Sequence, residues 1–190
     1  LFISTSAVCV TGLTPLDIAQ VFTPSGQLII ALLIQVGGLG IMTITSFFAL
    51  FFMGGSTLQR QFAVRDLIGA ETLSSLLSTL LNILAFTFAI EAIGAFFIWW
   101  SIHGTLSMTL GQEIFFSIFH SISAFCNAGF DLMGTDQLPY ASVTAYIGSP
   151  LVILTFSLLV IIGGIGFKTW DDVRVNKWHL KQYRMQSKVI

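Results

Sequence analysis

Charge is what this chain has least of. Only 9% of its 190 residues are Asp, Glu, Lys or Arg, against roughly 25% in a soluble domain. A soluble domain of this length can bury a good core, but it needs more polar surface than this to cover it. Cysteine is scarce too. The two present, Cys9 and Cys126, are too few for a disulfide framework and lack zinc-ligand spacing. The sequence has no paired carboxylates, nucleophile triad or phosphate-cradling glycine loop, so it does not read as an enzyme and no cofactor is expected. No basic face is interleaved with stacking aromatics, which argues against nucleic acid as a partner.

What is present is apolar. Hydrophobic residues reach 55% and the mean hydropathy is +0.88. A lipid bilayer accepts such surface on every side. A spanning helix needs about 20 mostly apolar residues, and three stretches, 27–53, 73–100 and 149–168, reach or approach that length. The first holds no charge and the second only Glu91. The Trp99-Trp100 pair suits the interfacial belt at the end of the second span.

A fourth apolar stretch, 110–123, is shorter and leads into Cys126-Asn127-Ala128-Gly129-Phe130. Apolar runs of about 10–14 residues read as re-entrant rather than spanning. Thr109 and Gln112 are placed for a capping box at its start. Non-helical backbone at membrane depth is tolerated only where protein buries it or water lines it. That is the physical description of a pore loop.

The basic residues fall into two clusters, Arg60 with Arg65 and then Lys168 to Lys188. The positive-inside rule puts both in the cytoplasm. Asp17, Glu113, Asp131 and Asp136 then lie outside, near the loop mouths. An acidic vestibule would concentrate cations; ordinary solvated loop charges are the alternative for each residue singly.

The chain repeats itself. Ala7-Val8-Cys9-Val10-Thr11-Gly12-Leu13 matches Ala124-Phe125-Cys126-Asn127-Ala128-Gly129-Phe130 at an offset of 117 (124 minus 7). Each segment follows a serine, Ser6 or Ser123, and precedes an apolar stretch with a glycine run. One run is Gly37-Gly38-Leu39-Gly40 and the other Gly163-Gly164-Ile165-Gly166. The unit is therefore helix, pore loop, helix. The fold expected is an all-α membrane protein of repeated units, with re-entrant half-helices and extended filter segments. Residues 1–60 hold the end of one unit, 61–72 a cytoplasmic linker, 73–170 a complete second unit and 171–190 a basic cytoplasmic segment. The opening inside a pore helix reads as a piece of a longer protein.

A dehydrated potassium ion needs several oxygen ligands, and backbone carbonyls supply them. Glycine takes the unusual backbone angles such a filter requires at least cost, which nominates Gly12 and Gly129. The carbonyls of Cys9, Val10 and Thr11, and of Cys126, Asn127 and Ala128, would be the neighbouring ligands. The competing reading of each glycine is a tight turn. The paired glycines of the apolar stretches suit close helix packing. Glu91, a carboxylate inside a span, reads as a structural hydrogen-bonding group or a protonation site. His120 reads as packed rather than metal-ligating.

The segments Ser6–Leu13, Val36–Thr43, Ser123–Asp131 and Ile162–Thr169 resemble the Trk/Ktr/HKT superfamily of potassium uptake proteins, above all its TrkH/KtrB membrane subunits. The resemblance implies four helix–pore loop–helix units around one central pathway in the cell membrane, with this chain holding the end of the first and all of the second. It implies potassium binding at Gly12 and Gly129, a homodimer, and a cytoplasmic nucleotide-binding regulatory subunit on the side of 168–188. Some plant relatives that favour sodium carry serine at the first filter glycine, so the resemblance with Gly12 points to potassium. Two rival readings stand beside this one. A cation-coupled solute symporter would want an unwound spanning helix with polar ligands near the midplane. A non-transporting membrane scaffold would have no reason to repeat a glycine-tipped loop.

Overall fold

The structure, a computed structural model, describes residues 1–40, 73–104, 108–166 and 169–170. Six α-helices run through them: α1 (Phe2–Val8), α2 (Ile18–Val21), α3 (Pro24–Gly38), α4 (Leu73–Ile102), α5 (Leu110–Phe125) and α6 (Pro150–Ile165), with a 3-10 turn at Ser142–Tyr146. No strand occurs among the described residues. The basic clusters that set the expected orientation, the continuation of the first span beyond residue 40, the linker 61–72 and the segment 171–190 lie outside them.

Local sequence explains most of the helix ends. Pro24 and Pro150 occupy the first turns of α3 and α6, where a missing N–H is harmless and the fixed φ is already helical. Thr23 accepts a bond from the Gly26 N–H. The expected capping box opens α5, with the Thr109 N–H donating to Gln112 Oε1 at 2.9 Å.

The 30 residues of α4 make a rod of about 45 Å. Its section Leu81–Ile102 is, among the described residues, the one helix long and apolar enough to cross a bilayer. The first expected span starts earlier than residue 27, at Pro24. The third, expected over 149–168, stops at Ile165, because Gly166 has φ +81° and leaves the helical path. Glycine makes that departure at little steric cost.

Helices α5 and α6 both have 16 residues, about 24 Å each, so length does not separate them. Burial does. In α5, Glu113, Ser117, His120, Ser121 and Ser123 are buried along with Phe116, Phe119 and Ala124. In α6 only Val152, Thr155 and Leu159 are buried, and Leu151, Ile153, Leu154, Leu158, Val160 and Ile161 point outward. A helix carrying that many buried polar groups has to be enclosed by protein; one with a single packed stripe and an apolar remainder suits lipid. Accordingly α5 packs against α4, α6 and α3, and α1 packs against α3. Gly94 lies where α4, α5 and α6 meet: a side chain there would come within 2.7 Å of both Leu159 and Ser121.

Candidate functional site

Helices α1 and α5 end in the same way, bond for bond. The Cys9 N–H reaches the Thr5 carbonyl, the Val10 N–H the Ala7 carbonyl and the Thr11 N–H the Ser6 carbonyl, at 2.8, 3.2 and 3.0 Å. The Cys126, Asn127 and Ala128 N–H groups reach Ile122, Ala124 and Ser123 at 2.9, 3.1 and 2.8 Å. The last two bonds of each set are the crossed pair of a Schellman cap, which needs a left-handed residue just past the helix. Val10 (φ 54°) and Asn127 (φ 56°) fill that place. Two residues on, Gly12 (φ 71°) and Gly129 (φ 74°) are left-handed again. Each pair keeps the offset of 117.

Alternating hand has a geometric result. A strand of one hand turns successive carbonyls to opposite sides; interleaved left-handed residues bring them toward the same side. Sequence reasoning assigned special backbone angles to the two glycines and missed Val10 and Asn127. For Asn127 there was a signal, since asparagine is the usual substitute for glycine in this cap. For Val10 there was none, because a β-branched residue is among the least suited to it.

The paired glycines explain how the following helices seat these loops. A Schellman cap leaves the next carbonyls of the helix end unpaired by the backbone. A side chain at Gly37 would run into the Val8 carbonyl, and one at Gly163 into the Phe125 carbonyl. Val8 and Phe125 are again matched positions. The first glycine of each run therefore admits close approach to the C-terminal end of a half-helix, α1 or α5, as the packing reading anticipated. Gly38 reaches across to the end of α5, where a side chain would strike Cys126.

The two loops touch. A side chain on Gly12 would collide with the Ala128 carbonyl, while one on Gly129 would meet only the Gly12 Cα, at 3.8 Å. Cys9–Gly12 and Cys126–Gly129 thus lie side by side. Cys9, Thr11, Asn127 and Gly129 are exposed, and Ala128 is buried. Above them is a cavity of about 100 Å³ lined in part by Gly12, Gly129, Asp17, Asp131 and Tyr140.

The TrkH family, described as a cation transport protein, matches residues 1–188. The chain belongs to this family. It is 36% identical over 189 residues to the potassium/sodium uptake protein NtpJ of Enterococcus hirae, covering all of this chain and 40% of that protein. It is 36% identical over 173 residues to the Ktr system potassium uptake protein B of Vibrio alginolyticus, with 91% and 36% covered. The corresponding Bacillus subtilis protein is 33% identical over 190 residues, with 100% and 41% covered. The chain therefore spans about two fifths of the length of these curated relatives.

Of the four acidic residues expected outside, two line the cavity above the loops in this TrkH-family chain. Asp17 is a clamp. Its Oδ1 accepts the Ala19 N–H and its Oδ2 the Tyr140 N–H, both at 2.9 Å. The Tyr140 hydroxyl donates back to the Pro15 carbonyl at 3.2 Å. Gly134 leaves room for the Asp17 carboxylate. Asp131 accepts the Met133 N–H; burial, and after it the charge of Asp17, push its carboxyl above the usual range. Glu113 is instead held under His103, with Nδ1 to Oε2 at 2.8 Å. Asp136 is an exposed loop residue.

Two buried side chains support the second loop from behind. His120 Nδ1 bonds the Phe116 carbonyl at 2.8 Å, and its Nε2 accepts the Leu132 N–H at 3.1 Å. A carbonyl can only accept, so Nδ1 carries the proton, and the ring pins the returning chain to α5. Ser121 Oγ donates to the backbone carbonyl of Glu91 at 2.7 Å, which ties α5 to α4 at that level.

Proposed function

We propose that the full-length protein takes up potassium ions across the cell membrane through a channel-like pathway, with the backbone carbonyls of Cys9–Gly12 and Cys126–Gly129 as ligands. The observation that carries this reading is the matched alternation of left-handed residues in two loops that touch. An ion stripped of water needs clustered oxygens, and such loops aim their carbonyls together. The rest of the site favours a cation. Helix α5 turns its C-terminal end, the negative end of its dipole, toward its loop. Asp17 and Asp131 stand at the mouth, and a cation between them would relieve their mutual repulsion. The relatives' own names speak of potassium uptake, one of them also of sodium.

In this reading each of the two units supplies one side of the pathway, and further units beyond this chain complete the ligand cage. The protein works as a homodimer with a cytoplasmic nucleotide-binding regulatory subunit. A coupled symporter is less favoured, because α4 runs unbroken past Glu91. The test is growth of a host lacking potassium uptake. Full-length protein should restore growth at low potassium and support rubidium uptake. Protein present in the membrane without either effect would overturn the proposal.

A further inference from the structure

Three polar groups that the transport reading does not use meet behind the second loop. Glu91 of α4 and Gln35 of α3 are only 5% and 8% exposed. The Cys126 thiol points to Glu91 Oε1 at 3.9 Å. Gln35 lies against the same carboxyl but short of hydrogen-bond geometry: neither of its buried amide atoms has a partner. Native structures hold few such atoms, and each one calls for an explanation.

Simple packing does not explain the amide. The glycine runs are offset by 126 (163 minus 37), which places Ile161 opposite Gln35 in the second unit. An isoleucine stands at that helical position there, turned outward. What sets Gln35 apart is its neighbour. Helix α3 packs on α5, and three residues beyond Gln35, Gly38 abuts Cys126. The Ser121 bond to the Glu91 backbone fixes the height at which the carboxyl projects. The carboxyl therefore stands between the inner helix of one unit and the loop of the next, two residues before Ala128.

We propose that Glu91 and Gln35 are positioning residues that brace the turn at Cys126 and so set the aim of the Ala128 and Gly129 carbonyls. Neither touches the ion. The brace rests on the filter reading above and deepens it: it acts on the choice between potassium and sodium rather than on throughput. A small rotation of the turn changes the arrangement of the ligand dipoles, on which selectivity depends.

The experiment is competitive rubidium and sodium uptake by the full-length protein, normalised to protein in the membrane. Gln35→Ile, which keeps the bulk that the second unit carries at this place, should lower the rubidium-to-sodium preference roughly fivefold to tenfold, the size expected when a buried polar group set against the Glu91 carboxyl is removed. Glu91→Leu should do the same, and Glu91→Gln, which keeps the shape of the side chain and can still accept from the thiol, should retain most of the preference. The double variant should fall no further than either single one, because coupled partners are not additive. Should Glu91→Leu fail to reach the membrane, Gln35→Ile carries the test. Gly12→Ser is the control. If it shifts the preference while Gln35→Ile leaves it at the wild-type value, the brace is wrong. If the control itself has no effect, the filter is elsewhere and the proposed function falls first.

Discussion

At Val10 and Asn127 the two loops make the same left-handed turn, but with unequal ease. Asparagine tolerates that conformation; a β-branched residue is an outlier in it, at a cost of about 1–3 kcal/mol. The loops differ in their other supports as well. Ser6 Oγ pairs with the Thr11 hydroxyl at 2.8 Å, whereas Ser123 Oγ donates to the Phe130 carbonyl at 2.6 Å. The first loop thus leans on a side chain and the second on the main chain. His120 secures the chain after the second loop further. The repeat is kept in backbone path and helix-end bonding, while the side chains that enforce it have diverged. The ligands of the proposed site are main-chain groups, so equivalent side chains need not be equivalent in effect.

The comparison breaks first at the glycine runs if it breaks at all. Gly37→Leu and Gly163→Leu should both be severe, since each drives a side chain into a backbone carbonyl that cannot swing aside. A loss of about 3 kcal/mol or more is expected from such overpacking, seen as little folded protein on fluorescence-detected size-exclusion chromatography. Tolerance at one position only would mean that the two helices do not seat their loops alike.

Gly12 and Gly129, the glycines of the proposed filter, should separate the two loops. Gly12→Ser strains φ and also strikes the Ala128 carbonyl, while Gly129→Ser meets strain alone. Rubidium preference over sodium should fall roughly thirtyfold for Gly12→Ser and about fivefold for Gly129→Ser, given about 1–2 kcal/mol for a side chain in the left-handed region and a collision at Gly12 only. Equal effects would show that contact between the loops has no part in selectivity.

Val10→Asn should raise the melting temperature of the solubilised full-length protein, by relieving about 1 kcal/mol of backbone strain. Asn127→Val should lower it by a similar amount. Opposite signs are the point: the same residue pair exchanged between equivalent sites.

The smallest effect concerns the outer end of the second unit, where His103 bonds Glu113. The His103 hydrogen bond, more than any other influence, holds the Glu113 carboxyl below its usual value of 4.5. A carboxyl depressed on folding contributes stability that is present above its unfolded value and is lost as pH falls through the folded one. The contact should therefore be intact at neutral pH and weaken only below about 4.5. Trp99, whose ring lies 4.9 Å from that of His103, reports on it. Its fluorescence should change below that pH in the wild type and not in Glu113→Gln.

Much of this molecule is legible along the chain. The apolar run and terminal tryptophans mark α4, and Thr109 with Gln112 marks the start of α5, because those signals are local. The glycine runs announce close packing without saying against what. The clamp of Asp17 on Tyr140 could not be read, since it joins residues 123 apart through a backbone N–H that no side chain advertises. Glu91 was visible as a buried carboxylate, but the hydroxyl of Ser121 grips its main chain, and its carboxyl looks elsewhere. The end of α6 was read too late because Ile165 and Phe167 continue the apolar pattern through a glycine that has already turned.

The Asp17–Tyr140 clamp also has a consequence in time. A ribosome adding roughly 5–20 residues per second needs roughly 6–25 seconds to make the chain between them. Until then the first loop is in the membrane with no second loop across from Gly12 and no backbone donor for the far oxygen of Asp17. Closing so long a loop is a late event in assembly, so the N-terminal half of the site is synthesised first and finished last.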